Sequence, residues 1–147
     1  MTSLEVSALT FWRIAEERGV ALFISHYTFN VLQYLRPYAI AQIVLDAMPV
    51  LSPTRYHSRW TRRVRESTGL TREDAAMVAL ASLGSNDAGD LLGVHWLATC
   101  DQPLCNGYRA AFPLLERRLR AMTVQLPLPF CHATLPQLAT PDELLAA

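Results

Sequence analysis

The sequence predicts an α/β fold, and the stretch 69–104 carries the strongest evidence for it. Residues 75–83 are apolar almost all round, which is typical of a helix buried on more than one side. Residues 94–98 form a short, mostly apolar run between Gly93 and Asp101, as expected for an interior strand of a parallel sheet. We therefore expect helices packed against a mostly parallel sheet.

The other elements follow from hydrophobic spacing and from the residues that break it. In chain order we expect helices at 2–18, 26–35, 38–48 and 108–124, and strands at 20–24 and 50–51. Ser25 is the expected cap of the second helix, and Pro113 is expected to kink the last one. The segment 125–137 holds three prolines and predicts irregular structure, such as an insertion that covers a sheet edge or meets a partner.

The composition is that of one folded domain spanning residues 1–147. The chain is 51% hydrophobic, long enough for a core, and carries no extended polar tract. Its net charge is zero, and all 13 basic residues are arginine. No signal peptide is visible and no apolar run reaches the ~18 residues that a membrane span needs. We therefore expect a cytoplasmic protein with no membrane contact.

Two aspartates flank the buried helix and strand. Asp74 follows the predicted N-cap Thr71 by three residues, which is a variant of the capping box. Asp101 comes directly after the strand and precedes Pro103, so it is a candidate N-cap of the next helix. If both carboxylates instead meet where the sheet opens to solvent, they would suit a divalent metal. The sequence leaves both interpretations open.

Several short motifs, taken in order, resemble the second half of a PIN domain. These are the helix that opens at Asp74, the pattern Thr-x-Asp-x-x-Leu formed by Thr99, Asp101 and Leu104, and the closing stretch 138–145, LATPDELL. PIN domains are a nuclease fold that includes the ribonuclease toxins of bacterial toxin–antitoxin pairs. The resemblance implies a three-layer α/β/α sandwich with a mostly parallel central sheet.

The start of the chain departs from the PIN pattern. Met1 stands where the family has its first catalytic Asp, and Val31 stands where it has a Glu. The resemblance therefore implies a degenerate or N-terminally truncated relative that lacks the first strand. Because that strand lies centrally in the family's sheet, its loss would leave two neighbouring strands unpaired or require another strand to fill the gap.

The resemblance implies that Asp74 and Asp101 are catalytic metal ligands for Mg²⁺ or Mn²⁺, with the Thr99 hydroxyl lining the site. With two of four acids missing, metal binding should be weak unless Glu73, Asp87 or Asp90 compensates.

Two candidate functions follow from the resemblance. One is a metal-dependent endoribonuclease, the toxin of a pair with a cognate antitoxin protein. The other is a catalytically inactive PIN-like module that binds RNA or protein. The resemblance also implies a homodimer.

A basic region precedes Asp74. Its candidate RNA-binding residues are Arg55, Arg59, Arg62, Arg63, Arg65 and Arg72, with Tyr56, His57 and Trp60 between them. Arginine beside aromatic rings suits phosphate contact and base stacking, although the same pattern describes an ordinary solvated helix face. A second, weaker basic patch contains Arg109, Arg117, Arg118 and Arg120.

The three cysteines do not have the spacing of a zinc site. Cys100 and Cys105 are separated by four residues, and Cys131 lies directly before His132. For a pair of zinc ligands, the first spacing is too long and the second is too short. We expect free thiols.

A third interpretation remains, in which the PIN resemblance misleads and the chain is another α/β domain whose aspartates and arginines are structural.

Overall fold

The computed structural model describes residues 13–34 and 37–146. Those residues combine helices with short strands. In chain order the elements are α1 (residues 13–17), β1 (Ile24–Ser25), α2 (His26–Tyr34), α3 (Ala39–Ala47), β2 (Val50–Leu51), α4 (His57–Thr68), α5 (Arg72–Leu83), β3 (Trp96–Ala98), α6 (Gln102–Thr123), β4 (Gln137–Ala139) and α7 (Pro141–Ala146). The described residues are therefore a mixture of helix and strand, which is compatible with the predicted α/β class.

The strands form two separate parallel pairs. β1 lies beside β2, with Ile24 opposite Val50, and β3 lies beside β4, with Leu97 opposite Leu138. Among the described residues, β3 has β4 as its single neighbour and Trp96 is 49% exposed, so in this part of the chain the predicted interior strand lies at an edge. The single central sheet and the three-layer sandwich stay predictions, since residues 1–12 lie outside the described residues.

The core lies between α4, α5 and α6. Trp60 and Val64 of α4 pack against Val78 of α5 and against Tyr108 and Leu115 of α6, and all five are almost fully buried. Most of α5 is buried, namely Ala75, Ala76, Val78, Ala79, Leu80, Ala81, Ser82 and Leu83. The prediction of a helix buried on more than one side is confirmed. Small alanine side chains allow the neighbouring helices to approach it closely.

The first third of the chain agrees with the sequence in its helices and disagrees in one strand. Ser25 caps α2 as predicted, because its Oγ accepts a hydrogen bond from Thr28 N at 3.0 Å. The predicted strand 20–24 is wrong except at Ile24. Its partner β2 is only two residues long, so the backbone ladder cannot extend back to Val20, which is 54% exposed. The predicted first helix is described only from residue 13 onward.

The proline-rich segment 125–137 is mostly irregular, as predicted, but it contains a short 3-10 helix at Phe130–His132 and its last residue begins β4. Pro136 is fully buried, and Leu126, Phe130 and Leu135 pack against the core. This segment is therefore part of the packed fold.

The helix before that segment is longer than the sequence indicated. α6 begins at Gln102, six residues before its predicted start at 108, and Pro113 lies inside it. The helix begins at this point because Asp101 is its N-cap and Pro103 lies in its first turn. Among the described residues, no helix is both long and apolar enough to cross a membrane.

Candidate functional site

Asp74 lies in the first turn of α5, three residues after the N-cap Thr71. The Thr71 side chain accepts a hydrogen bond from Asp74 N at 3.2 Å, which makes Thr71 the predicted cap. The Asp74 carboxylate stands with Glu73 near the positive end of the helix dipole, where a negative charge is stabilising. These contacts give Asp74 a structural role at the start of the helix.

Asp101 is the N-cap of α6, which confirms the structural interpretation of this residue. Its Oδ1 accepts a hydrogen bond from Leu104 N at 3.0 Å, and its own N–H donates to Thr99 Oγ1 at 3.1 Å. Thr99 therefore lies beside Asp101, and its hydroxyl accepts a backbone hydrogen bond. The Asp101 side chain is exposed at the end of β3.

Among the described residues, no third potential ligand joins Asp74 and Asp101, so the magnesium or manganese site stays a prediction. Mg²⁺ requires close to octahedral coordination by oxygen ligands. Within the described ranges, no three His, Cys, Asp or Glu side chains come together in a group that could hold a metal. Asp87 and Asp90, which could have replaced the missing acids, are exposed in the loop after α5, and Glu73 is exposed in its first turn. One Asp101 oxygen is already engaged by the helix that it caps.

Four of the six predicted RNA-binding arginines lie on α4, away from the core. His57, Trp60 and Val64 mark the buried side of this helix. Arg59, Arg62 and Arg65 are exposed and Arg63 is partly exposed, while Arg55 and Arg72 are exposed just outside the helix ends. We call these six residues the arginine surface. In the part of the chain that the structure describes, none of them forms an ion pair with Asp or Glu.

The acidic residue of α4 is already paired with an arginine of another helix. Glu66 is the acidic residue of α4, and its Oε2 lies 3.6 Å from Arg118 Nη1 of α6. Glu66 therefore faces a cation from the neighbouring helix and does little to offset the charge of the arginines around it.

Tyr56 forms an aromatic centre at one end of the arginine surface. The guanidinium carbons of Arg55 and Arg59 lie 5.6 Å and 5.9 Å from the centroid of its ring, within cation–π range. The Phe130 ring meets the Tyr56 ring edge-on, with centroids 4.9 Å apart. The sequence indicated the neighbouring arginines and tyrosine. Phe130 could not be found that way, since it lies more than seventy residues away in the proline-rich segment.

Two histidines lie near each other where α2 contacts α4. His57 is 6% exposed, and its Nε2 lies 3.4 Å from the hydroxyl of Tyr27. The His26 and Tyr27 rings are in contact, with centroids 3.7 Å apart. Burial lowers the pKa of both histidines, and the nearby His26 lowers the pKa of His57 further. Both imidazoles are therefore neutral at neutral pH. The Nδ1 atoms of both rings and Nε1 of Trp60 are buried and have no hydrogen-bond partner among the residues that the structure describes.

The second basic patch predicted from the sequence is largely neutralised. Arg109 Nη2 lies 3.6 Å from Glu143 and Arg120 Nη2 lies 3.8 Å from Glu116, while Arg118 pairs with Glu66 as described above. Three of its four arginines therefore have acidic partners. This patch is a set of surface ion pairs and not a continuous cationic surface.

The cysteines are free thiols, as predicted. Cys100 is exposed, Cys105 is buried and Cys131 is partly exposed. Burial raises the pKa of the Cys105 thiol, which keeps it protonated and unreactive. The described residues bring no cysteine into a group of potential metal ligands.

Comparison with family models, with curated proteins and with solved structures gives no match for this chain. The PIN resemblance therefore rests on the residues quoted above, and the functional argument rests on the geometry of the chain itself.

Proposed function

We propose that this chain is a PIN-like module that binds RNA through its arginine surface and is catalytically inactive. The observation that carries the proposal is the arginine surface itself, six cationic side chains on and around α4 that have no acidic partner among the described residues. The alternative function, a metal-dependent ribonuclease, is less well supported because no third potential ligand joins the two aspartates among the described residues.

The charge distribution supports binding of a polyanion. The chain has no net charge, so six arginines that form no ion pair among the described residues imply an excess of acidic groups elsewhere. Such a concentration of one sign creates a local potential that attracts phosphates and steers their approach. Guanidinium groups also match phosphate oxygens geometrically, because each presents two parallel N–H donors.

The aromatic centre supports binding of unpaired bases. Tyr56 is only partly buried, and Phe130 holds its ring edge-on. Base stacking on aromatic or guanidinium planes contributes about 1 to 3 kcal/mol per base and is available only where the base is unpaired. Arg55 and Arg59 beside the ring would hold the neighbouring phosphates. Single-stranded RNA is therefore the proposed form of the ligand.

The decisive experiment is fluorescence anisotropy with a labelled single-stranded RNA of twelve uridines, titrated at several salt concentrations. The double variant Arg59→Gln/Arg62→Gln removes two charges from the arginine surface. We expect weaker binding and a shallower dependence of log K on log salt, by about 0.7 for each phosphate that the protein no longer neutralises. Arg117→Gln is the matched control, since Arg117 is exposed on α6. No RNA binding at low salt, or equal effects of the two variants, would overturn the proposal.

A separate measurement tests the ribonuclease. Calorimetric titration with Mg²⁺ and Mn²⁺ is compared between the unchanged protein and the variants Asp74→Asn and Asp101→Asn. We expect no binding that depends on either carboxylate, because the described residues offer too few ligands. Binding that both variants abolish would instead favour the nuclease and justify an RNA cleavage assay.

A homodimer and a cognate antitoxin stay proposals drawn from the PIN resemblance. Mass measurement in solution would test the dimer.

A further inference from the structure

A second candidate site lies away from the arginine surface, in a groove of about 580 Å³ bounded by the β3–β4 sheet, α6 and α7. Its walls include the apolar side chains of Trp96, Phe112 and Leu144. Two charged residues, Arg109 and Glu143, also line it. The volume lies in the range of roughly 300 to 1,000 Å³ that is usual for small-molecule sites, and the combination of apolar walls with few polar groups is equally typical of them.

Each residue of the charged pair in the groove forms a hydrogen bond with the backbone. Arg109 Nη2 donates a hydrogen bond to the carbonyl oxygen of Leu138 at 2.9 Å and lies 3.6 Å from Glu143 Oε2. Glu143 Oε1 accepts a hydrogen bond from Thr140 N at 3.2 Å. The bonds from the Thr140 backbone and side chain, and then the charge of Arg109, lower the pKa of Glu143. The carboxylate is therefore ionised at neutral pH.

Both members of the pair keep hydrogen-bonding capacity for a ligand. The contacts of Arg109 given above use Nη2, which leaves the hydrogens on Nε and Nη1, and a carboxylate has lone pairs beyond those that Thr140 and Arg109 engage. The side chains are 46% and 52% exposed, so the groove is open to solvent at this point. The groove thus presents a fixed donor directly beside a fixed acceptor.

Trp96 supplies a stacking surface next to this pair. It is 49% exposed although it lies in a strand, and it stands directly opposite Gln137 of β4. A large exposed indole on a sheet face costs solvation free energy and is typical of a surface that contacts a ligand. The ligand that fits the groove is therefore a flat aromatic ring with hydrogen-bond acceptors and donors side by side on its edge.

Guanine has this arrangement. Its O6 and N7 atoms are acceptors that suit an arginine, and its N1–H and N2–H groups are donors that suit a carboxylate. The neighbouring opposite charges of Arg109 and Glu143 match these two edges and give the groove no net charge, which favours a base over a phosphate. We propose that this groove binds a guanine base of single-stranded RNA. This inference rests on the RNA-binding function proposed above.

The test compares two labelled single-stranded RNAs by fluorescence anisotropy, ten uridines and the same strand with one central guanosine. We expect the strand with guanosine to bind at least about fivefold tighter, since a bidentate side-chain contact to the correct base discriminates against the wrong base by at least about 1 kcal/mol. Trp96→Leu and Glu143→Gln should each remove this preference and leave binding of the uridine strand unchanged. Arg59→Gln/Arg62→Gln should weaken binding of both strands by the same factor.

The outcomes separate the two proposals. Equal binding of the two strands, with no effect of Trp96→Leu or Glu143→Gln, overturns the guanine site and leaves the arginine surface intact. If neither strand binds, the proposed RNA-binding function is overturned. The groove could then no longer take its guanine from RNA, so the guanine proposal is overturned as well. A titration of tryptophan fluorescence with guanosine monophosphate and uridine monophosphate is the second readout. Equal quenching by the two nucleotides in the unchanged protein and in Trp96→Leu also overturns the guanine site.

Discussion

The hydroxyl of Tyr27 in α2 lies 3.4 Å from Nε2 of His57 in α4, and this contact joins the first third of the chain to the core helices. His57 is almost completely buried, whereas Tyr27 is 42% exposed and its ring also contacts His26. The titratable groups that face His57 from α2 are therefore Tyr27 and His26. Among the described residues, no carboxylate shifts the pKa of His57, so they offer no partner for a charge on His57.

We predict that the protein loses stability as the pH falls below about 6.5. Burial and the neighbouring His26 hold the pKa of His57 below its ordinary value of 6.5, so the unfolded chain takes up the proton first. The free energy of unfolding therefore decreases as the pH falls through 6.5, and for this group it levels off below the lowered pKa. Urea unfolding between pH 7.5 and 5.0 measures the effect.

The control for this prediction is a pair of histidine variants. His57→Leu should flatten the pH dependence relative to the unchanged protein, whatever it does to stability at pH 7.5. His132→Gln replaces an exposed histidine and should keep the original dependence. If His57→Leu and the unchanged protein lose stability in parallel, the buried imidazole is not the responsible group.

The N-cap role of Asp101 gives a second prediction. Asn accepts the same hydrogen bond from Leu104 N as Asp does, so Asp101→Asn should change the free energy of unfolding little, whereas Asp101→Ala should cost about 1 kcal/mol. Chemical denaturation of the three proteins checks this. The comparison also validates the metal titration, because Asp101→Asn removes a carboxylate without removing the cap. A large loss of stability in Asp101→Asn would contradict the cap as the main role of this side chain.

Local features of the fold could be predicted from the sequence, because the interactions that cause them span few residues. Thr71, Ser25 and Asp101 are caps whose partners lie three residues away. The contact at 140–143 is equally local, because Thr140 and Glu143 exchange both hydrogen bonds of a capping box. The buried character of α5 was equally visible, since it follows from composition alone.

Contacts between distant segments could not be predicted in this way. The lengths of β1 and β3 depend on partners that lie more than twenty residues further along the chain. The groove beside Trp96 needs α6, β4 and α7 to be in position, and the sequence suggested only that Arg109 belonged to a basic patch. The pairing of Arg109 with Glu143 changes that interpretation, because opposite charge from a distant element is invisible in local composition.

Tyr108 carries a third prediction. Its hydroxyl donates a hydrogen bond to the carbonyl oxygen of Pro136, and both residues are almost fully buried. Burial raises the pKa of Tyr108, so the hydroxyl keeps its proton across the accessible pH range. Tyr108→Phe should lower the free energy of unfolding by about 1 to 3 kcal/mol, because the carbonyl loses its partner away from water. Denaturation measures the loss. A variant as stable as the unchanged protein would mean that water reaches Pro136.

In the loop before β3, alanine substitutions at two glycines distinguish the energetic cost of a left-handed backbone from the cost of steric overlap. Gly89 and Gly93 both have positive φ, at 74° and 71°. A Cβ at Gly89 would meet no atom within 4 Å, whereas at Gly93 it would lie 2.6 Å from the carbonyl oxygen of Ser82 and 2.7 Å from that of Ala81. Those two oxygens belong to the backbone of α5, which cannot move aside as a flexible side chain could.

We therefore predict that Gly89→Ala costs about 1 to 2 kcal/mol of unfolding free energy, from the left-handed conformation alone. Gly93→Ala should cost clearly more, since the loop must also move off the end of α5. Gly93 N donates to Gly84 O at 2.6 Å and Val94 N donates to Ala81 O at 2.7 Å, so a displaced loop would break two backbone hydrogen bonds. Thermal denaturation of both variants measures the difference. Equal losses would show that the loop relaxes freely and that its packing on α5 contributes little to stability.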